Sequence, residues 1–298
     1  MKIGIIGGGA IGLLFSYYLS RRHSVCLYVH SSEQRNLIQE EGFLFEKNGH
    51  RAREFVQVKL STQWRGEEEV TFIALKQYHL PHIIDMLSTY STNGHALCFL
   101  QNGMGHLKWF DGLNGDIYVG SVEHGAMKVG HNHVIHTGVG TTKTALFRGD
   151  SPNFMDFVQS IEDDFFSFVV EEQYEKMLIK KLVANAVINP LTSILQIKNG
   201  ELINNPYYFR LVKSMFAEII ESLQLKESEE YFLNVIEVCK LTAHNDSSML
   251  RDLKEKRLTE VDAILGYILE KAAENEIHTP IIDLFYQAVK GKECRVED

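Results

Sequence analysis

Lys181, Asn185 and Asn189 recur at four-residue intervals in the apolar stretch KKLVANAVINP, residues 180–190. Four residues is close to one helical turn, so the three share one side of a helix. Burying an ammonium and two amides without partners costs on the order of several kcal/mol. One alternative is a solvent-facing helix with Lys181 paired to an acid. The run LVANAVI is too apolar for that alternative to sit comfortably, so the face needs something polar to meet. Pro190 is expected to break or kink the helix just after Asn189, freeing carbonyls that amides could meet. A second polar set lies in NDSSMLRDLKEKRLTEVDAILGYI, residues 245–268. Ser247 and Ser248 read as helix-start residues, one of them a cap. Glu260 precedes the apolar stripe Val261, Ile264, Leu265 and Ile268. On local grounds it reads as a first-turn acid or as an i,i+4 partner of Lys256.

A third set opens the chain. GIIGGGAIG contains Gly7-x-Gly9-x-x-Gly12 directly after a strand-like run and at the start of a helix-like one. In that context it is a dinucleotide signal, and it assigns Gly7, Gly8, Gly9, Ala10, Ile11 and Gly12 to a phosphate-binding loop. Gly7 permits the tight turn, Gly9 lets backbone approach a pyrophosphate, and Gly12 allows close helix–strand packing. A plain Gly-rich turn in a flavodoxin-like sheet is the alternative. An NAD site usually ends its second strand with Asp or Glu, to hold a ribose hydroxyl. Here the strand ends LYVHSSEQR, with His30 at that position, Ser31 and Ser32 next, and Arg35 nearby. The missing acid favours NADP(H) over NAD(H). Arg35 could equally be an ordinary exposed helix residue.

Ligands in such sheets lie beyond the carboxyl ends of the strands. Lys76 ends FIALK, and Gln101, Asn102, Gly103 and Gly105 follow CFL in CFLQNGMG. Taken singly, a strand-end lysine is more often solvated and an Asn-Gly pair more often a turn.

These residues need a scaffold. KIGIIG, SVCLYVH, EVTFIAL and HALCFL are strand-like, and AIGLLFSYYLSRR, SEQRNLIQEEG and LPHIIDMLSTY between them are helix-like. That alternation implies a parallel sheet with helices on both faces. YVGSVEHGAMKVG, HVIHTGVG and TTKTALFRG are expected to form an antiparallel extension at the sheet edge. After about residue 170 the patterns are helical, with Pro206 and Pro280 at first-turn positions and Thr279 as a candidate cap. The fold class is therefore α/β, with a Rossmann-type domain over residues 1–170 and an all-α domain over 171–298.

The 298 residues, 45% of them hydrophobic, are ample for two cores. A net charge of -9 argues against a nucleic-acid surface. Cys26, Cys98, Cys239 and Cys294 are scattered without metal-like spacing, as reduced thiols in a cytosolic protein would be. HNHVIH looks like a strand rather than a metal site, and no metal is expected. The apolar N-terminus is too short and Gly-rich to span a membrane, and no later run is expected to be long enough. A cytoplasmic protein without a membrane or nucleic-acid partner is the expectation.

Gly7-x-Gly9-x-x-Gly12, LK at 75–76, QNGMG at 101–105, KLVANAVINPLTSI at 181–194 and SSMLRDLKEKRLTEVDAI at 247–264 together resemble the 2-dehydropantoate 2-reductase (ketopantoate reductase) family. The resemblance covers nearly the whole chain. It implies NADPH/NADP+ as cofactor and 2-dehydropantoate as small-molecule substrate, in a cleft under a helical domain like the C-terminal domain of 6-phosphogluconate dehydrogenase. Position by position it implies that Lys181 is the general acid and that Glu260 helps bind substrate and supports catalysis. It puts Asn102 at the nicotinamide and substrate, Asn185, Asn189 and Ser248 in the substrate pocket, and Lys76 close to the cofactor. The family often carries Arg where this chain has His30. Either Arg35 with Ser31 and Ser32 replaces it, or NADPH preference is weakened. A paralogous reductase of another branched 2-keto acid and a non-catalytic NADP-sensing protein are the competing readings. A homodimer is left open.

Overall fold

In the computed structural model the first β-α-β unit is β1 (Lys2–Ile6), α1 (Ala10–Ser20) and β2 (Ser24–Val29), with β1 and β2 parallel and Ile5 opposite Leu27. Residues 1–92, 94–161 and 163–294 are described. Next come α2 (Ser32–Glu41), β3 (Phe43–Lys47), β4 (His50–Glu54), β5 (Gln57–Leu60), β6 (Val70–Ile73), α3 (Ile84–Tyr90) and β7 (Ala96–Phe99). They are followed by β8 (Asp116–Val122), β9 (Gly125–Val129), β10 (His133–Gly138), β11 (Thr141–Arg148), α4 (Pro152–Ser160) and β12 (Ser167–Glu171). An eight-stranded sheet runs in the order β12-β11-β8-β7-β6-β1-β2-β5, and a four-stranded one in the order β4-β3-β10-β9. From β5 to β8 every neighbouring pair in the large sheet is parallel. Strands β6, β7 and β8 are buried along their whole length, as parallel strands covered on both faces must be. Ile3, Ile5, Leu14, Phe15, Phe72, Phe154 and Phe166 fill the core around α1 and the sheet. The chain leaves β2 for β5 on one side of β1 and returns to β6 on the other. The glycine loop after β1 thus lies at a reversal of strand order, where such sheets bind ligands.

The expected antiparallel edge is only partly right. β8 is parallel to β7 and fully buried, because the segment between them supplies a crossover through a 3-10 turn at Leu107–Gly112. β9 and β10 pair antiparallel but leave the main sheet, and β10 joins β3 in parallel. Only β11 returns, antiparallel to β8, with β12 parallel outside it. The β3–β4 hairpin turns on Asn48 (φ 50°) and Gly49 (φ 78°), the left-handed pair that a tight hairpin favours.

The chain divides into two compact units: Met1–Gln101 with His106–Met177, and Asn102–Gly105 with the residues from Leu178 onward. The second is helical. It holds most of α5 (Tyr174–Leu195), then α6 (Glu201–Asn204), α7 (Pro206–Ser222), α8 (Ser228–Leu241), α9 (Ser248–Lys254), a π-turn at Asp262–Gly266, α10 (Tyr267–Glu274) and α11 (Pro280–Glu293). Pro206 and Pro280 occupy first-turn positions. Thr279 stands at the N-cap of α11, but its side chain makes no cap bond. The Glu218 carboxylate of α7 does that work, accepting from the Ile281 and Ile282 amides at 2.9–3.1 Å.

Pro190 does not break α5, which runs on to Leu195. The Thr192 hydroxyl donates to the carbonyls of Ile188 (2.7 Å) and Asn189 (3.1 Å), and Pro190 and Leu191 are buried, so packing overrides the local preference. Nor does the expectation that no later run reaches spanning length hold. By length and composition α5 could cross a membrane, with a mean hydropathy of 1.3 over eighteen residues, 67% of them buried inside the protein. A helix buried on most sides carries that composition in any core.

Candidate active site

The loop after β1 is shaped by what its glycines leave out. Gly7 has φ +126°, and its amide donates to the Tyr28 carbonyl at 2.8 Å. A Cβ there would lie 2.5 Å from the Ala74 carbonyl oxygen. A Cβ on Gly12 would lie 1.7 Å from the Gly7 carbonyl oxygen, so α1 starts hard against the loop. At Gly9 a Cβ would meet nothing within 4 Å. Gly9 is the N-cap of α1, with no capping side chain and no acid in the first turn. An unfilled space beside helix-start amides, free of negative charge, suits an anionic pyrophosphate. The amide of Gln34 braces the loop, its Nε2 donating to Gly8 O (2.8 Å) and to His131 O (2.7 Å).

At the end of β2, His30 is exposed. Ser31 caps α2, its Oγ accepting from the Gln34 amide at 3.1 Å. The Arg35 guanidinium donates to Asn36 Oδ1 at 2.8 and 3.1 Å. Lys76, half-buried, precedes the 3-10 turn Gln77–His82, with Nζ 6.0 Å from the Tyr78 ring centre. Burial pushes the His79 imidazole below its ordinary value, and its neighbours His82, His30 and Lys76 push it further. His30 at the end of β2 and Lys76 at the end of β6 thus both lie near His79, and a lysine there suits a further phosphate.

In the second unit the Asn102 carboxamide donates to Glu260 Oε2 at 2.9 Å, joining residues 158 positions apart. Gly103 beside it has φ +77°, and a Cβ there would lie 2.0 Å from the Ala263 carbonyl oxygen. Only glycine lets the loop approach so closely. Lys181 and Asn185 are half-buried on α5, while Leu182, Val183, Ala186, Val187 and Ile188 around them are buried. Asn189 is 5% exposed, and among the described residues neither it nor Asn185 has a side-chain hydrogen bond. The Asn189 amide is not wholly shut off from water, so it is left to meet solvent or a ligand. Ser247 is the cap of α9: its Oγ accepts from the Leu250 amide (3.1 Å) and lies 2.8 Å from the Thr192 hydroxyl oxygen, to which its own hydroxyl can donate, which bolts α9 to α5. Ser248 is exposed at the first position of α9.

Family models for ketopantoate reductase PanE/ApbA and for its C-terminal domain match residues 3–149 and 173–293. The chain belongs to the ketopantoate reductase family. It is 37% identical over 297 residues to a 2-dehydropantoate 2-reductase of Bacillus subtilis, covering 98% of each chain. It is 34% identical over 302 residues to one of Listeria innocua, covering 98% and 97%. The solved structure of a probable 2-dehydropantoate 2-reductase from B. subtilis superposes with a TM-score of 0.89 at 36% identity, covering 98% of this chain and all of that one. D-mandelate dehydrogenase with NADH and anilino(oxo)acetate superposes with a TM-score of 0.90 at 22% identity, a likeness of fold alone.

In this ketopantoate reductase family chain the loop brace Gln34 carries no mark in the sequence. An Gln in the first turn of α2 gives no local sign of reaching a loop 26 residues back.

Proposed function

We propose that the chain reduces the 2-keto group of 2-dehydropantoate to the (R)-alcohol of pantoate with NADPH. The observation that carries the reading is the Asn102–Glu260 hydrogen bond, which brings the QNGMG loop onto the acid of the 247–264 motif. Bound NADPH supplies the hydride to the keto carbon. Gly7–Gly12 would hold its pyrophosphate, and His30, Arg35, Lys76 and His79 would face its remaining phosphate. Lys181 acts as general acid: its Nζ donates a proton to the carbonyl oxygen as negative charge develops there, and regains one from solvent. A cation on that oxygen interacts more strongly with the transition state than with the ground state, which is the condition for catalysis. Glu260, oriented by Asn102, accepts hydrogen bonds from substrate hydroxyls. Asn185, Asn189 and Ser248 line the pocket.

The test follows loss of reduced-nicotinamide absorbance with 2-dehydropantoate, ketoisovalerate and other 2-keto acids, using NADPH and NADH in parallel. Lys181→Ala should lose about 10²- to 10⁴-fold in kcat, the usual contribution of general acid catalysis, with the Kd for NADPH little changed. Near-normal turnover by that variant, or no turnover of 2-dehydropantoate by the parent, would overturn the assignment.

A further inference from the structure

Glu260 follows an irregular stretch from Arg257 and precedes a π-turn, a rare geometry found most often at functional sites. Its own carbonyl accepts from the Ile264 amide at 3.1 Å, and Thr259 before it is held from elsewhere as well. That anchorage comes from the far end of the chain. Glu293 Oε1 accepts from the Thr259 amide (2.7 Å) and from the Thr259 hydroxyl (2.5 Å). The same hydroxyl accepts from the Val261 amide at 3.2 Å. Lys290 Nζ lies 3.0 Å from the other oxygen of Glu293 and 3.0 Å from Asp262 Oδ2. Asp262 Oδ1 accepts from the Tyr286 hydroxyl at 2.7 Å. The result is a closed loop of bonds, Thr259 to Glu293 to Lys290 to Asp262, with Glu260 on the arc of backbone it clamps.

The parts look assigned to this task. Tyr286, Lys290 and Glu293 share one face of α11, spaced four and three residues apart. The packing face of the helix is a different one, Ile282, Phe285 and Val289. The Glu293 side chain is only 3% exposed, so its carboxylate sits away from water and depends on the three donors it has. Burial works to lower the Lys290 ammonium, yet its bonds to Asp262 and Glu293 outweigh that and hold it raised. Hydrogen bonding to Asp262, with burial, raises the Tyr286 hydroxyl.

We propose that Glu293 is a positioning residue for the reduction, holding Glu260 in its bond with Asn102 by fixing Thr259. This rests on Glu260 acting at the substrate, as assigned above. Displacing a reacting or binding group by about an ångström can cost 100-fold in rate. Glu293→Ala should therefore lower kcat/KM for 2-dehydropantoate by roughly 10- to 100-fold while the Kd for NADPH stays put. Glu293→Gln keeps an oxygen for Thr259 and should recover most of that loss. The deciding measurement is a double-mutant cycle with Glu260→Ala. If Glu293 acts through Glu260, adding Glu293→Ala to Glu260→Ala costs little further kcat/KM. An equal fold-loss in both backgrounds would overturn the proposal and leave Glu293 a role in stability alone. Should Glu293→Ala fail to fold, the near-isosteric Thr259→Val removes the hydroxyl bond of the same clasp and takes its place in the cycle. If Glu260→Ala itself turns over normally, the assignment of Glu260 falls first, and the proposal with it.

Discussion

Alanine at Gly9 and alanine at Gly12 should fail for opposite reasons. The Gly12 methyl would sit 1.7 Å from the Gly7 carbonyl oxygen, where ordinary contact begins near 3.4 Å. The loop cannot retreat: the Gly7 amide is bonded to Tyr28 and its α-carbon is against the Ala74 carbonyl. The start of α1 must move instead, disturbing the packing of Leu13, Leu14 and Phe15, all fully buried. Overpacking of this kind costs about 1–3 kcal/mol, sometimes more. At 2–4 °C per kcal/mol for a domain of this size, Tm should fall by about 2–12 °C. At Gly9 the added methyl meets nothing within 4 Å, and φ -81°, ψ -171° is open to alanine. Exchanging one weak N-cap for a weaker one costs at most about 1 kcal/mol, so the unliganded protein should melt within a few degrees of the parent. Its methyl fills the space assigned to the pyrophosphate, so NADPH affinity should fall at least tenfold, about 1.4 kcal/mol. Differential scanning calorimetry without nucleotide and titration of NADPH fluorescence separate the two effects. A Gly9→Ala protein that binds NADPH normally, or that melts as early as Gly12→Ala, refutes the reasoning.

Two further predictions concern charge. Burial holds the imidazoles of His95, His106 and His124 down at about 4, 3 and 4, so they stay neutral in the fold but take up protons near 6.5 when unfolded. Their contribution is complete above pH 6.5 and is lost as pH falls toward 4, by about 1.4 kcal/mol per pH unit each; urea midpoints at pH 7.5, 6 and 5 should fall accordingly, and a His106→Phe variant whose midpoints show the parent's pH slope would sink this account. His30→Arg should tighten NADPH about tenfold while leaving NADH unchanged, since it adds a guanidinium at the end of β2 where the Ser31 hydroxyl is committed to a cap; equal shifts in both dissociation constants would place His30 away from the 2′-phosphate.

The β1–α1–β2 start was legible because its signals are local. A glycine pattern between a short apolar strand and an apolar helix has few other uses. The hairpin at Asn48–Gly49 was legible too and went unread, because His50–Glu54 is too polar to look like a strand. The fate of β9 and β10 was not legible. Their alternation fits any half-buried sheet, and the choice of β3 as partner over β8 depends on packing beside α1. Pro190 misled for a similar reason: a proline's local preference is worth about 3 kcal/mol, and a helix buried along its length can absorb that.

What the sequence determined alone was the chemistry: which residue types stand at which spacings, hence the dinucleotide loop, the strand-end lysine, the polar stripe of α5 and the acid after Thr259. Tertiary structure decided who meets whom. Asn102 finds Glu260 across 158 residues, Gln34 finds Gly8, Ser247 rather than Ser248 becomes the cap, and Glu293 reaches back to Thr259. Periodicity reports the face of an element, because it repeats within a few residues. The partner of that face is set by the packing of the whole chain, and no local interval encodes it.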